Sequence, residues 1–170
     1  MGQAFIFLLA GYETTSSTLA FAAYLLAIHQ DCQEKLQREV DEFYARHVHI
    51  FTALLSQLSV QELQYLDMVI SETLRMLACD AAKDWNVNGH FIPAGATVAI
   101  PAGYIYYDPE YWPEPEKFLP KRFTAKAKSQ RHPFTYFPFG AGPWSCIAMR
   151  LALLEEKIAM IQAVQKFTFQ

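Results

Sequence analysis

A chain of 170 residues that is 52% hydrophobic, 15% aromatic and 18% charged can build one core and does not have the composition of a disordered segment. A net charge of -3, an acidic pI and the lack of any recognition motif speak against nucleic-acid binding. Cys32, Cys79 and Cys146 are odd in number and far apart, so there is neither a disulfide framework nor a CxxC metal pattern, which suits a reducing compartment.

The first predicted helix runs from about Gln3 to Ile28. It is apolar enough to imitate a membrane span, but Glu13 and the run from Thr14 to Thr18 interrupt it. A mid-span carboxylate costs about 2.5–3.5 kcal/mol on insertion scales, so a buried helix is expected instead. No basic n-region precedes it, and Ile6 occupies the position where myristoylation needs Ser or Thr. A second helix is predicted from Asp31, with Glu34 as its capping-box partner and Leu36, Val40, Phe43 and Tyr44 as its apolar stripe. After a looser stretch from His47 to Ser59 comes a third helix ending near Met76. Asn88-Gly89 and Pro93-Ala94-Gly95 are turn signals between β-branched residues, predicting a sheet of two or three short strands within Trp85–Ile100. Pro101 to Pro138, rich in proline and aromatics, is expected to be mostly ordered coil with one short helix. A last helix, Ile147 to about Gln165, is apolar nearly all round and is expected to be central.

Four constellations carry chemistry. Glu13 and Thr14 set an acid beside an alcohol after the small pair Ala10-Gly11, an arrangement suited to relaying protons through water. The competing reading is a polar stretch of buried helix whose hydroxyls bond back to their own carbonyls. Glu72 and Arg75 share one side of the third helix, while Leu66, Val69, Ile70 and Thr73 occupy the other. Such an i,i+3 pair is by itself an ordinary surface bridge. From Lys117 to Leu154 there are seven Lys/Arg and no Asp or Glu, either a solvated basic loop or a docking face for an acidic protein. Finally, Phe139-Gly140-Ala141-Gly142-Pro143-Trp144-Ser145-Cys146 ends a glycine-rich loop on a cysteine just ahead of the last helix. A helix start favours the thiolate, and thiolate is an electron-donating ligand for iron. A small buried structural cysteine is the plainer alternative.

The loop resembles the haem-binding signature of the cytochromes P450, which runs Phe, two residues, Gly, any, Arg, any, Cys, any, Gly. Phe139, Gly142 and Cys146 match it, whereas Trp144 stands for the propionate-binding Arg and Ala148 for the last Gly. Pro120-Lys121-Arg122-Phe123 is similar to the segment whose arginine joins the E-x-x-R pair in that family. Ala10 to Thr15 is similar to its oxygen-activation motif, and Pro113 to Phe118 to its meander. The wording is closest in style to the animal microsomal clan that holds the drug-oxidising P450s and thromboxane synthase.

The resemblance implies a partial P450 fold, mainly α with a small β-sheet, in which residues 1–170 form an incomplete C-terminal part of the domain. It implies haem b with Cys146 as axial ligand, Phe139 beside the thiolate, and Gly140, Gly142 and Ala148 along the macrocycle. Glu13 and Thr14 would be the catalytic proton-relay pair, and Glu72, Arg75 and Arg122 a structural triad. The implied activity is oxygen insertion into a lipophilic substrate with electrons from NADPH-cytochrome P450 reductase, docked on the basic face Lys117–Arg131. The implied location is the cytosolic face of the endoplasmic reticulum membrane, through an anchor not found in this chain. An isomerase of an endoperoxide and a non-catalytic remnant without stable haem are the alternatives. A connection after Met76 shorter than the family's, together with Trp144, removes the usual propionate arginines and leads to the expectation that the chain is inactive.

Overall fold

A computed structural model describes residues 2–46, 60–77 and 101–170. Helix α1 (Gly2–Ile28) is separated from α2 (Gln30–Arg46) by His29 alone. The Gln33 N–H donates to the His29 carbonyl at 3.1 Å, so α2 starts at Gln30 and Asp31 falls inside its first turn. The Asp31 carboxylate bonds Lys35 at 2.9 Å rather than forming the expected box with Glu34. Helix α3 (Gln64–Leu77) follows, then the short α4 (Ala102–Tyr106), α5 (Ala125–Gln130) and the long α6 (Met149–Lys166). Single 3-10 turns lie at Pro120–Phe123, Pro133–Thr135 and Gly142–Trp144.

Two expectations are corrected. No strand occurs among the described residues, so a mainly α fold with a small β-sheet gives way to an all-helical description. The sheet expected at Trp85 to Ile100 lies outside the described residues. Pro101 to Pro138 is also more helical than expected, because some of its prolines open helical turns instead of preventing them. Pro120 and Pro133 occupy the first position of their 3-10 turns, where no N–H is needed. Thr124 caps α5 by accepting the Ala127 N–H.

The core forms where α1, α2, α3 and α6 meet. On α2 the buried residues Leu36, Val40 and Phe43 fall at helical spacing, and on α3 Leu66, Val69 and Ile70 do the same. Leu25 and Leu26 of α1 and Met160, Ile161 and Val164 of α6 close the cluster. Each such side chain stabilises the fold by about 1.5–3 kcal/mol relative to exposure. Helix α6 packs on α1, α2 and α3. Beyond its end the tail returns to α2, where the buried Gln33 side chain accepts the Phe169 N–H at 2.6 Å and donates to the Phe169 carbonyl at 3.0 Å. A second, aromatic cluster of Tyr106, Trp112, Phe123 and Tyr136 fills the space beside α3, with the Arg131 guanidinium 3.9 Å above the Trp112 ring. No helix among the described residues is long and apolar enough to cross a membrane.

Candidate functional site

The glycine-rich loop enters from the aromatic cluster, where the Tyr106 hydroxyl accepts the Phe137 N–H at 2.7 Å. The Gly140 N–H then donates to the Phe137 carbonyl at 2.9 Å, and the Cys146 N–H closes the loop on the Phe139 carbonyl at 2.8 Å. To make this path the backbone takes φ of 75° at Gly140 and 70° at Gly142, the left-handed region that side chains resist. A Cβ at Gly142 would meet nothing within 4 Å, so backbone conformation, not crowding by the chain, requires glycine there. Ala148 is the N-cap of α6, with no side-chain cap bond, and the Cys146 carbonyl accepts the Met149 N–H at 3.3 Å.

Cys146 is a free, exposed thiol, whereas Cys32 is buried and the Cys32 thiol is pushed up by burial. Cys79 lies outside the described residues. Ile147, Met149 and Leu151, which follow Cys146, are exposed apolar side chains, Ile147 at 85%. An outward thiol on a turn with open space beside Gly142 and apolar side chains next to it fits the iron-ligating side of a flat apolar macrocycle.

Through Tyr106, whose carbonyl accepts from Arg75 and whose hydroxyl accepts the Phe137 N–H, the loop's entry is tied to a buried ionic cluster. Glu72 and Arg75 on α3 meet in a two-pronged pair, Arg75 Nε to Glu72 Oε2 at 2.9 Å and Arg75 Nη2 to Glu72 Oε1 at 3.0 Å, both side chains fully buried. Arg122 Nε reaches the same Glu72 Oε1 at 3.3 Å, and the Leu119 N–H donates to it at 2.9 Å. The outer N–H groups of both arginines hold loop carbonyls. Arg75 donates to those of Tyr106 and Pro115, each at 2.8 Å, and Arg122 to those of Pro113 and Glu114. Glu114 sits at φ of 54°, an unusual conformation for a residue with a side chain, and the Arg122 bond to its carbonyl helps hold it there.

Helix α1 runs unbroken through Gly11. Glu13 is exposed, and Thr14 Oγ1 donates to the Ala10 carbonyl at 2.6 Å, so its hydroxyl hydrogen is held by its own helix. Among the described residues no hydrogen bond joins Glu13 or Thr14 to the Cys146 loop. The basic run is less free than its composition suggests. Lys117 pairs with Glu114, Lys128 with Asp67 at 3.2 Å and Arg122 with Glu72, while Arg131 is stacked on Trp112.

The model of the family described as Cytochrome P450 matches residues 1–170. The chain belongs to the cytochrome P450 family. It is 53% identical over 177 aligned positions to thromboxane-A synthase of Macaca fascicularis and 51% identical to that of Mus musculus, in each case covering 100% of this chain and 32% of the relative. It is 46% identical to cytochrome P450 3A7 of Homo sapiens, over 100% of this chain and 34% of that protein. This P450 chain therefore spans about a third of the length of the curated relatives it matches. The 177 aligned positions exceed its 170 residues, so the macaque relative carries residues that this chain lacks.

Two features of this P450 chain escaped the sequence reading. Glu39 of α2 caps α3, and Glu156 of α6 is buried in the helix core. The doublet Glu155-Glu156, following the apolar run Leu151 to Leu154, was the available signal for the second. Nothing in local spacing announces the first.

Proposed function

We propose that this chain supplies the thiolate side of a haem site, in which Cys146 would be the sulfur ligand of the iron. The observation that carries the reading is the Cys146 loop itself. Two left-handed glycines and the Cys146–Phe139 bond hold an exposed thiol just ahead of α6. Phe139, Gly140, Gly142 and Ala148 would frame the macrocycle, and the cluster of Glu72, Arg75 and Arg122 would support the loop without touching the chemistry. When bound, haem supplies the redox chemistry that inserts one oxygen atom of dioxygen into a lipophilic substrate. In that reaction Glu13 accepts and passes protons, and Thr14 joins the relay once its hydroxyl turns away from the Ala10 carbonyl. Electrons come from NADPH-cytochrome P450 reductase at the endoplasmic reticulum membrane, docked on the exposed part of the Lys117–Arg131 face.

The 53% identity to a thromboxane-A synthase against 46% to cytochrome P450 3A7 favours a second reading, an isomerase that rearranges an endoperoxide without reductase. That reaction uses the thiolate and leaves Glu13 and Thr14 idle. With the Cys146 loop exposed, neither reaction is expected from the 170-residue chain alone, because a water-excluding pocket is needed to keep activated oxygen on substrate.

The test is the absorption spectrum of the purified chain with added haem, reduced and treated with carbon monoxide. A thiolate-type band is expected, lost in Cys146→Ser and kept in Cys32→Ser. A band that survives Cys146→Ser overturns the assignment. Turnover of lipophilic substrates with reductase, or of an endoperoxide without it, would overturn the expectation of inactivity and separate the two reactions.

A further inference from the structure

On α3 two carboxylates serve four cations. Glu72 is shared by Arg75 and Arg122, and Asp67 by Lys128 at 3.2 Å and Lys157 at 2.9 Å. Arg131 brings a fifth cation and makes no ion pair among the described residues. Its Nη2 donates to the Arg122 carbonyl at 2.6 Å, and the rest of its five N–H groups meet no acceptor among the described residues. Burial pushes the Arg131 guanidinium below its ordinary value, and the charge of Glu72 offsets only part of that cost. A half-buried guanidinium with donors to spare lacks an anion.

Arg131 lines a cavity of about 170 Å³ between the end of α5 and the 3-10 turn at Pro133–Thr135, together with Phe123, Lys128, His132, Pro133 and Tyr136. None of the six carries a carboxylate. The His132 Nδ1 accepts the Phe134 N–H at 3.3 Å, so the hydrogen of a neutral ring sits on Nε2 and is left to donate. The Tyr136 hydroxyl spends its hydrogen on the Ser71 carbonyl at 2.9 Å, which leaves this residue, with Phe123 and Pro133, as wall. The volume is several times what one water needs, yet below the roughly 300–1,000 Å³ of a site for a drug-sized molecule, so the occupant is small.

We infer that this cavity binds a small phosphate-class oxyanion, inorganic phosphate or a soluble phosphate monoester, held by Arg131, Lys128 and the His132 Nε2–H. Three donor groups from α5 and the segment after it call for more acceptors than the two oxygens of a carboxylate. A forked guanidinium beside a point-charge ammonium is the pairing that suits a tetrahedral oxyanion. The site involves neither Cys146 nor haem. A bound phosphate would also cancel part of the positive charge of the Lys117–Arg131 face, a consequence that rests on the docking reading, whereas the site itself does not.

Thermal unfolding of the full chain with inorganic phosphate, at an ionic strength held constant with chloride, tests the site. The unfolding temperature should rise with phosphate, by about 3–6 °C at ten times Kd, and the phosphorus NMR line of phosphate should broaden. Arg131→Gln should abolish both responses, and Lys128→Gln should weaken binding about tenfold. Lys126→Gln, exposed on the same helix but outside the cavity, should bind as the parent does. Arg131 also packs on Trp112, so if Arg131→Gln fails to fold, Lys128→Gln decides. A rise that chloride reproduces, an affinity unchanged in Lys128→Gln, or an equal loss in Lys126→Gln overturns the proposal. So does a shift produced by an acidic peptide, or by vesicles containing phosphatidic acid, but not by inorganic phosphate, which would mark a docking surface instead.

Discussion

Glu39 and Leu66 are 27 residues apart, and the Glu39 Oε2 accepts the Leu66 N–H at 2.9 Å. Its other oxygen accepts the Tyr65 N–H at 2.8 Å, so a carboxylate from α2 covers two of the N–H groups that the first turn of α3 leaves open. The residue before that turn, Leu63, has no side-chain oxygen to offer and is fully buried. The negative charge also complements the positive end of α3. One side chain thereby fixes where α3 begins and, through α3, where Glu72 and Arg75 stand.

Replacing Glu39 with Ala should lower stability by about 0.5–2 kcal/mol, the range for loss of an N-terminal cap. Urea unfolding should show a lower midpoint with an unchanged slope. An unchanged midpoint would mean that water replaces the carboxylate at no cost.

Glu72→Ala is expected to be far more damaging. It leaves the buried guanidinium of Arg75 and the largely buried one of Arg122 without their shared anion. Breaking a buried ion pair from one side costs about 3–5 kcal/mol, a large part of the whole stability of a small domain. Arg122→Lys keeps the charge but cannot hold Glu72 and the Pro113 and Glu114 carbonyls together, so an intermediate loss is expected. Circular dichroism melts should rank parent, Arg122→Lys and Glu72→Ala in that order.

Asp67 should mark the acid limb of stability. Burial raises its carboxyl, but the hydrogen bond and charge of Lys157, with Lys128 beside it, outweigh that and hold it below the ordinary 3.8. A lowered folded-state value means that its contribution is present above 3.8 and disappears as pH falls below it. Unfolding temperatures of Asp67→Asn should therefore lie below the parent's at neutral pH and converge with them in strong acid. A gap that stays constant with pH would show the side chain acting through packing alone.

Much of the helical frame is legible in the residues because its signal is local. Leu36, Val40 and Phe43 repeat at the helical period, and so do Leu66, Val69 and Ile70, which places a buried face on each helix whatever it meets. Gly140 and Gly142 likewise mark a turn that bulkier residues resist, and both adopt positive φ. Where local signals compete, the reading went astray. Asp31 has the chemistry of a cap, yet His29 continues the hydrogen bonding between α1 and α2 and Asp31 pairs with Lys35. The prolines between Pro101 and Pro138 resemble coil formers, and two of them open 3-10 turns.

By itself the sequence determined the helical faces of α2 and α3, the glycine loop that ends on Cys146 and the membership of the cytochrome P450 family, because these depend on residue type and short spacing. Only the tertiary structure decided which distant groups meet. Glu39 reaches the start of α3, Gln33 holds the tail, Arg122 shares Glu72 with Arg75, and Glu156 is buried among the packed helices. Each of these contacts joins groups that helix packing brings together from far along the chain. Burial then turns an ordinary surface carboxylate into a cap or an ionic hub, since the cost of an unpaired charge rises steeply once water is excluded.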